Sequence, residues 1–196
     1  MASCQLIYGQ SSFPSSYSLT PNITLGSLGD SYSRLTPMHG LTVQDLVCNL
    51  RQLAVNVIDP VMELLGRGNV HITSVLRTPE TVTGSLNPPR GVSYHQQGLG
   101  IDMVFLTKSF SEYFEIAKQL KQNIEYDKLL LEYRIGTVNG VNTYKPWIHI
   151  QWQQPDIKMA NGAAGAQARK QVFTLQNDRT HATGLVNLLP DSTLRY

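Results

Sequence analysis

Residues 93–102 read Ser-Tyr-His-Gln-Gln-Gly-Leu-Gly-Ile-Asp, and the way this stretch turns decides how the chain is organised. His95 and Asp102 stand seven positions apart with Gly98 and Gly100 between them. One helical face does not bring such a pair together. A tight glycine-bearing loop that returns the chain as a strand does, and it can aim an imidazole and a carboxylate at one point. Asp102 also sits among apolar neighbours, Ile101 and Met103. A buried carboxylate is costly unless it is paired or bound to metal. Two readings follow: half of a metal site, or a loop whose aspartate accepts hydrogen bonds from nearby backbone amides.

Working outward, the next informative segment is Trp147-Ile148-His149-Ile150-Gln151-Trp152. Strand alternation places Trp147, His149 and Gln151 on one face and the isoleucines with Trp152 on the other. Alone, a histidine on a strand reads as a satisfied structural residue. Beside His95 and Asp102 it completes two imidazoles and one carboxylate, which leaves a fourth tetrahedral position open. That is the composition of catalytic rather than structural zinc.

Around these segments the elements can be assigned. Leucine and valine recur at three- and four-residue steps from Val43 to Leu64, marking an amphipathic helix capped by Thr42, with Asp45 in its first turn. Pro60 should kink or divide it. Residues 69–75 alternate as a strand, 77–93 form a proline- and glycine-containing loop, and 100–105 read as a short buried strand. A second helix starts near Ser109. Lys128–Tyr133 and Trp147–Trp152 are strands joined through a Gly/Asn-containing connection, and 171–175 is a last strand. The fold class expected is α+β, with a central, largely antiparallel sheet and helices packed on one face. Residues 1–40, rich in Ser, Thr, Pro, Gly and Tyr, read as an extended N-terminal arm; 41–196 form the folded domain.

Bulk properties narrow the function classes. A chain of 196 residues fits one domain with a real core. The net charge of +2, with scattered Lys and Arg, argues against nucleic acid. No basic start followed by an apolar run marks a secretory signal, and no stretch approaches the roughly 20 apolar residues of a spanning helix, so no membrane insertion is expected. Cys4 and Cys48 are too few for a disulfide framework or a cysteine-rich metal site, and Cys48 reads as a buried thiol.

The motifs also carry a resemblance. SYHQQGLGID resembles the Ser-x-His-x-x-Gly-x-Ala-x-Asp signature of the zinc DD-peptidase family, which includes D-alanyl-D-alanine carboxypeptidases and dipeptidases, phage endolysins and murein endopeptidases, and which shares its fold with Hedgehog signalling domains. Gly100 stands where alanine is usual. HITSVLRTPE is similar to the family's strand ending in a Ser-Gly-Tyr-Arg type sequence, with Ser74 and Arg77 matched. KLLLEY and WIHIQW resemble the paired late strands of the phage-associated branch, and RKQVFTL its closing strand. The match runs from about residue 41 to 176.

The resemblance implies a Hedgehog/DD-peptidase-like fold, zinc as cofactor, and His95, Asp102 and His149 as its ligands. It places Arg77 facing substrate, against the alternative of a loop-anchoring ion pair, and lets Ser93 either orient its loop or hydrogen-bond substrate. The family's usual general base, an acid three residues before the last histidine, is Pro146 here, and a histidine variant two before it is Trp147. Glu132 remains, in an apolar run where burial would raise its pKa. It is expected as the base, or else as an ion-pair partner of Arg134 or Arg77, or a partner of a ligand histidine. The activity implied is hydrolysis of an amide bond in the stem peptide or cross-link of bacterial peptidoglycan. The chain would be phage-encoded, acting from the virion or from the host cytoplasm before release to the wall, with the N-terminal arm available to other virion proteins. Two alternatives stand beside it: a catalytically silent structural or wall-binding virion protein with the same zinc site, and a small-peptide dipeptidase.

Overall fold

The computed structural model describes residues 4–78, 92–107, 109–177 and 180–189. Most of the loop expected over 77–93 lies outside them. The described chain is α+β, built on one six-stranded sheet: β1 Val70–Ser74, β2 Gly100–Phe105, β3 Lys128–Val138, β4 Val141–Gln151, β5 Gln171–Gln176 and β6 Thr180–Thr183, in the order β1-β2-β4-β3-β5-β6. β3 and β4 run well past the segments expected for them because Asn139-Gly140 turns the chain with φ of 51° and 76°. Asn-Gly tolerates two successive positive φ values, and such a turn matches the twist of a hairpin.

The sheet is mixed, and this corrects the expectation of a largely antiparallel one. β5 pairs with β3 in parallel, Lys128 opposite Gln171 through Tyr133 opposite Gln176. The cause is the return path. Residues 152–170 carry the chain back to the end of the sheet where β3 begins, and Asp127 accepts at its carbonyl from the Gln171 amide (2.9 Å) to set the start. β6, not anticipated, then pairs antiparallel with β5.

Period-two patterning separates the two sheet faces. Ile101, Met103, Leu129, Leu131, Ile148 and Ile150 are fully buried on one face. Against them pack α2 (Val43–Leu53), α3 (Asp59–Leu65) and α4 (Phe110–Asn123), through residues such as Val47, Leu50, Leu53, Val61, Tyr113, Ala117 and Leu120. The Thr42 cap is real: its hydroxyl accepts from the Asp45 amide (3.1 Å) while Asp45 accepts from the Thr42 amide (2.9 Å). Ser109 caps α4. Pro60 divides the long helix into α2 and α3, as expected. Its missing N–H is absorbed by a π-helical turn over Ala54–Ile58, so that Pro60 falls in the first turn of α3, where no donor is needed.

The N-terminal segment is woven into this core. Ile7 in its short helix α1 (Gln5–Tyr8), Leu19, Ile23 and Leu25 in the connection that follows, and Leu28 in a 3-10 segment over Gly26–Arg34 are all 2% exposed or less within the main hydrophobic cluster. Cys48 is not the free thiol expected; it is disulfide-bonded to Cys4. A 44-residue separation left that pairing invisible in sequence. Asp45 adds a polar tie, accepting from Tyr8 Oη (3.0 Å) and from Lys158 Nζ (2.8 Å). Among the described residues no helix is long and apolar enough to cross a membrane.

Candidate metal centre

Register builds the site. In the β2–β4 ladder Asp102 lies directly opposite His149, so both side chains leave the same, non-core face. The loop before β2 supplies the third group. Ser93 caps a 3-10 turn over Tyr94–Gln97 by accepting from the His95 amide (3.3 Å), and Gly98 closes the turn with φ of 69°. A side chain at either loop glycine would crowd its neighbours, and at Gly98 the left-handed backbone disfavours one as well. A Cβ at Gly98 would lie 3.2 Å from Leu46 O and from Leu50 Cγ, and one at Gly100 would lie 3.1 Å from His95 N. The loop is also strapped to α2: Asn49 Nδ2 donates to the Gln97 carbonyl (2.8 Å) and to the Lys158 carbonyl (3.0 Å).

Three ligand atoms therefore converge. Asp102 Oδ1 lies 2.7 Å from His149 Nδ1 and 3.3 Å from His95 Nε2, and the two imidazole nitrogens are 3.1 Å apart. His95, Asp102 and His149 are 3%, 8% and 6% exposed. His95 Nδ1 is 2.6 Å from the Val75 carbonyl. A carbonyl only accepts, so the proton sits on Nδ1, and the Nε2 lone pair is left facing the other two groups. The far oxygen of Asp102 accepts from Arg77 Nη2, while Arg77 Nε donates to Ser74 Oγ (2.8 Å) and the Arg77 amide donates to the His95 carbonyl (3.2 Å). A register irregularity in β1 between Ile72 and Ser74 sets Ser74 opposite Asp102, which gives Arg77 its foothold.

Charge follows from this packing. Burial alone would raise the Asp102 carboxyl, but the adjoining His95 and His149 outweigh it and hold the group far below the usual carboxylate range. Burial pushes His95 down, against the pull of Asp102. His149 is also penalised by burial, yet the Asp102 hydrogen bond and charge, with the charge of Glu132, lift it above its ordinary value.

The residues fit a cation. Ligand atoms about 2.0–2.1 Å from a tetrahedral ion stand about 3.3 Å from one another, close to the spacing seen here. Two imidazole nitrogens and an ionised oxygen on one point, with the outer nitrogen of His95 and the outer oxygen of Asp102 each held by a partner, are the first and second layers of such a site. His149 Nε2 is buried and has no hydrogen-bond partner among the described residues. This His-Asp-His group could hold a metal ion.

The remaining expected residues lie around it. Glu132, 9% exposed, sits opposite Trp147 in the β3–β4 ladder, on the face that carries His149. Arg77 is engaged by Asp102 and Ser74, and Ser93 by the loop it caps. Pro146 is buried in β4 opposite Tyr133, beyond the last β2 pairing, where a missing amide breaks no second ladder. Two supports were missed in the sequence. Asn49 had a signal, since a polar residue on the buried side of an amphipathic helix demands partners. The Val75 carbonyl had none. Comparison of the chain with protein-family models, with curated proteins and with solved structures found no match.

Proposed function

We propose that this chain is a zinc-dependent peptidase that cleaves an amide bond in the stem peptide or cross-link of bacterial peptidoglycan, encoded by a phage and acting as a lysis enzyme or virion component. The observation that carries the reading is the convergence of His95 Nε2, Asp102 Oδ1 and His149 Nδ1 within 3.3 Å of one another. Two imidazoles and one carboxylate suit zinc and leave room for water and substrate. The signature-like spacing of the 93–102 loop supplies the substrate class.

Bound there, zinc would supply a Lewis acid and a lowered water pKa. The chain's own residues divide the rest of the work. Arg77 and Val75 fix the orientation of Asp102 and His95. Glu132, buried on the same face, accepts the proton of the attacking water and returns it to the leaving nitrogen. Ser93 keeps the His95 loop in register. Pro146, standing where many resembling peptidases carry an acid, favours a second reading: the same zinc fold without turnover.

Purified full-length protein, assayed for metal content and for release of amines from isolated peptidoglycan with and without chelator, separates these. Bound zinc with hydrolysis that chelator and Glu132→Gln both abolish is the expected result. Full zinc with no hydrolysis would leave the silent reading. Failure to retain any divalent ion would remove both.

A further inference from the structure

A chain of polar contacts leads from the metal loop to the disulfide. Gln97, beside the glycine that closes the His95 turn, is buried; its Oε1 accepts from the Ala160 amide (2.8 Å) and its Nε2 donates to the Val92 carbonyl (3.1 Å). Asn49 ties the same two segments together through the Gln97 and Lys158 carbonyls. Lys158 Nζ donates to buried Asp45 (2.8 Å), whose other oxygen accepts from Tyr8 Oη on α1 (3.0 Å). α1 thus stands at the far end of the contacts that hold the His95 loop. It is weakly held itself. Four residues are too few for a helix that persists alone, and Ile7 is its one buried side chain. Cys4, immediately before it, is bridged to Cys48 on α2 across 44 residues, and closing so long a loop is a large entropic restraint. Cys4 is half-buried and Cys48 is 9% exposed, so a reductant meets the Cys4 sulfur first.

We propose that Cys4–Cys48 is a dithiol–disulfide exchange site that sets how firmly the His95 loop, and with it the metal ion, is held: tightly when oxidised, loosely when reduced. This rests on the zinc-centre reading and deepens it by naming the regulation of that site. The co-reactant is a dithiol reductant, of the class that keeps cytoplasmic cysteines reduced. Its thiolate attacks the Cys4 sulfur, the S–S bond breaks, and Cys48 leaves as a thiolate that takes up a proton. The second thiol then attacks the reductant sulfur of the mixed disulfide and releases Cys4 as a thiol. Two electrons and two protons pass to the protein, and the reductant is left as its own disulfide. With the crosslink gone, the entropy of the 44-residue loop returns and α1 detaches more readily, taking Tyr8 from Asp45. Water then reaches Asp45, and its pair with the half-exposed Lys158 weakens to that of a surface ion pair. Residues 158–160 lose their tether, and the bonds they make to Asn49 and Gln97 no longer hold the loop that aims His95.

The test compares the full chain in three forms: bridged, reduced by dithiothreitol and freed of the reagent, and as Cys4→Ser/Cys48→Ser, which offers zinc no thiol. Dithiothreitol should open the bridge in the folded chain, read as two free thiols. Zinc affinity is measured by competition with a chromogenic chelator, and amide hydrogen exchange across residues 94–98 is followed without metal. Both unbridged forms should bind zinc about tenfold more weakly and exchange about tenfold faster. Bridged Lys158→Met should lose affinity to the same degree, and reduction should then change it little. A bridge that opens only in denaturant, equal zinc affinity in all forms, unchanged exchange, or full affinity in Lys158→Met would overturn the proposal. Should the unbridged forms fail to fold, the bridged Lys158→Met chain decides. Tight zinc with no redox dependence defeats the exchange site alone; faster exchange on reduction with no zinc in either state defeats the zinc reading alone.

Discussion

Two of the buried aspartates, Asp127 just before β3 and Asp102 in β2, are treated differently. Asp127, fully buried, is answered within the chain. It accepts from the Arg169 amide (2.9 Å), Nε (2.9 Å) and Nη2 (2.5 Å), from Gln153 Nε2 (2.8 Å) and from Tyr94 Oη (3.5 Å). Burial and the Asp127 charge push the Tyr94 phenol up to about 12, so it remains a donor. Asp102 has one cation on its outer oxygen and two imidazole nitrogens crowding its inner one. The first aspartate is part of a closed structural clamp. The second is part of a group of lone pairs aimed at a common point. A buried carboxylate therefore says little about function until its partners are counted.

That contrast can be broken most sharply at Asp102. On the proposed zinc reading the parent should retain zinc after dialysis and gain Tm with excess zinc, and Asp102→Asn should abolish both. Asp127→Asn should do the opposite. Losing the charge-assisted hydrogen bonds to the half-exposed Arg169 should cost about 1.5–3 kcal/mol of folding stability in chemical denaturation, while zinc retention on the proposed reading is unchanged in the folded fraction.

The same clamp predicts a pH signature. Burial opposes ionisation of Asp127, but the Arg169 and Gln153 hydrogen bonds hold its folded pKa below the ordinary value. A depressed carboxylate contributes stability that is complete above its unfolded pKa, about 4, and is lost as pH falls through the folded value. Unfolding free energy of the parent should drop on acidification below about pH 4, and the drop should be shallower in Asp127→Asn. The smallest effect belongs to Arg77→Met, which removes only the outer partner of Asp102. Metal affinity should fall about 10–100-fold, measured by competition with a chromogenic chelator, and the fold should be retained. An unchanged affinity would show that Asp102 needs no orientation from Arg77.

How much of the site was legible varies by residue. His95 and Asp102 could be paired because two glycines in a short loop imply a tight turn. His149 could be placed on the opposite face from the isoleucines because strands alternate. Thr42, Ser109 and Asn139-Gly140 are local signals, and each appears where it was read or explains a turn. Arg77 holding Asp102 was not legible, because it depends on a shift in β1 register that moves Ser74 by one position. Arg169 reaching Asp127 and Cys4 reaching Cys48 are contacts across 42 and 44 residues, with no periodicity to announce them.

By itself, the sequence determined which residues could share a face and which could turn, since those follow from backbone period and from φ permissions that individual residues carry. Only the tertiary structure decided strand order, the parallel pairing of β5, the disulfide and the partners of Asp102 and Asp127. Those depend on where chain segments far apart in sequence meet, and the free energy of such meetings is spread over a whole core rather than written in any one motif.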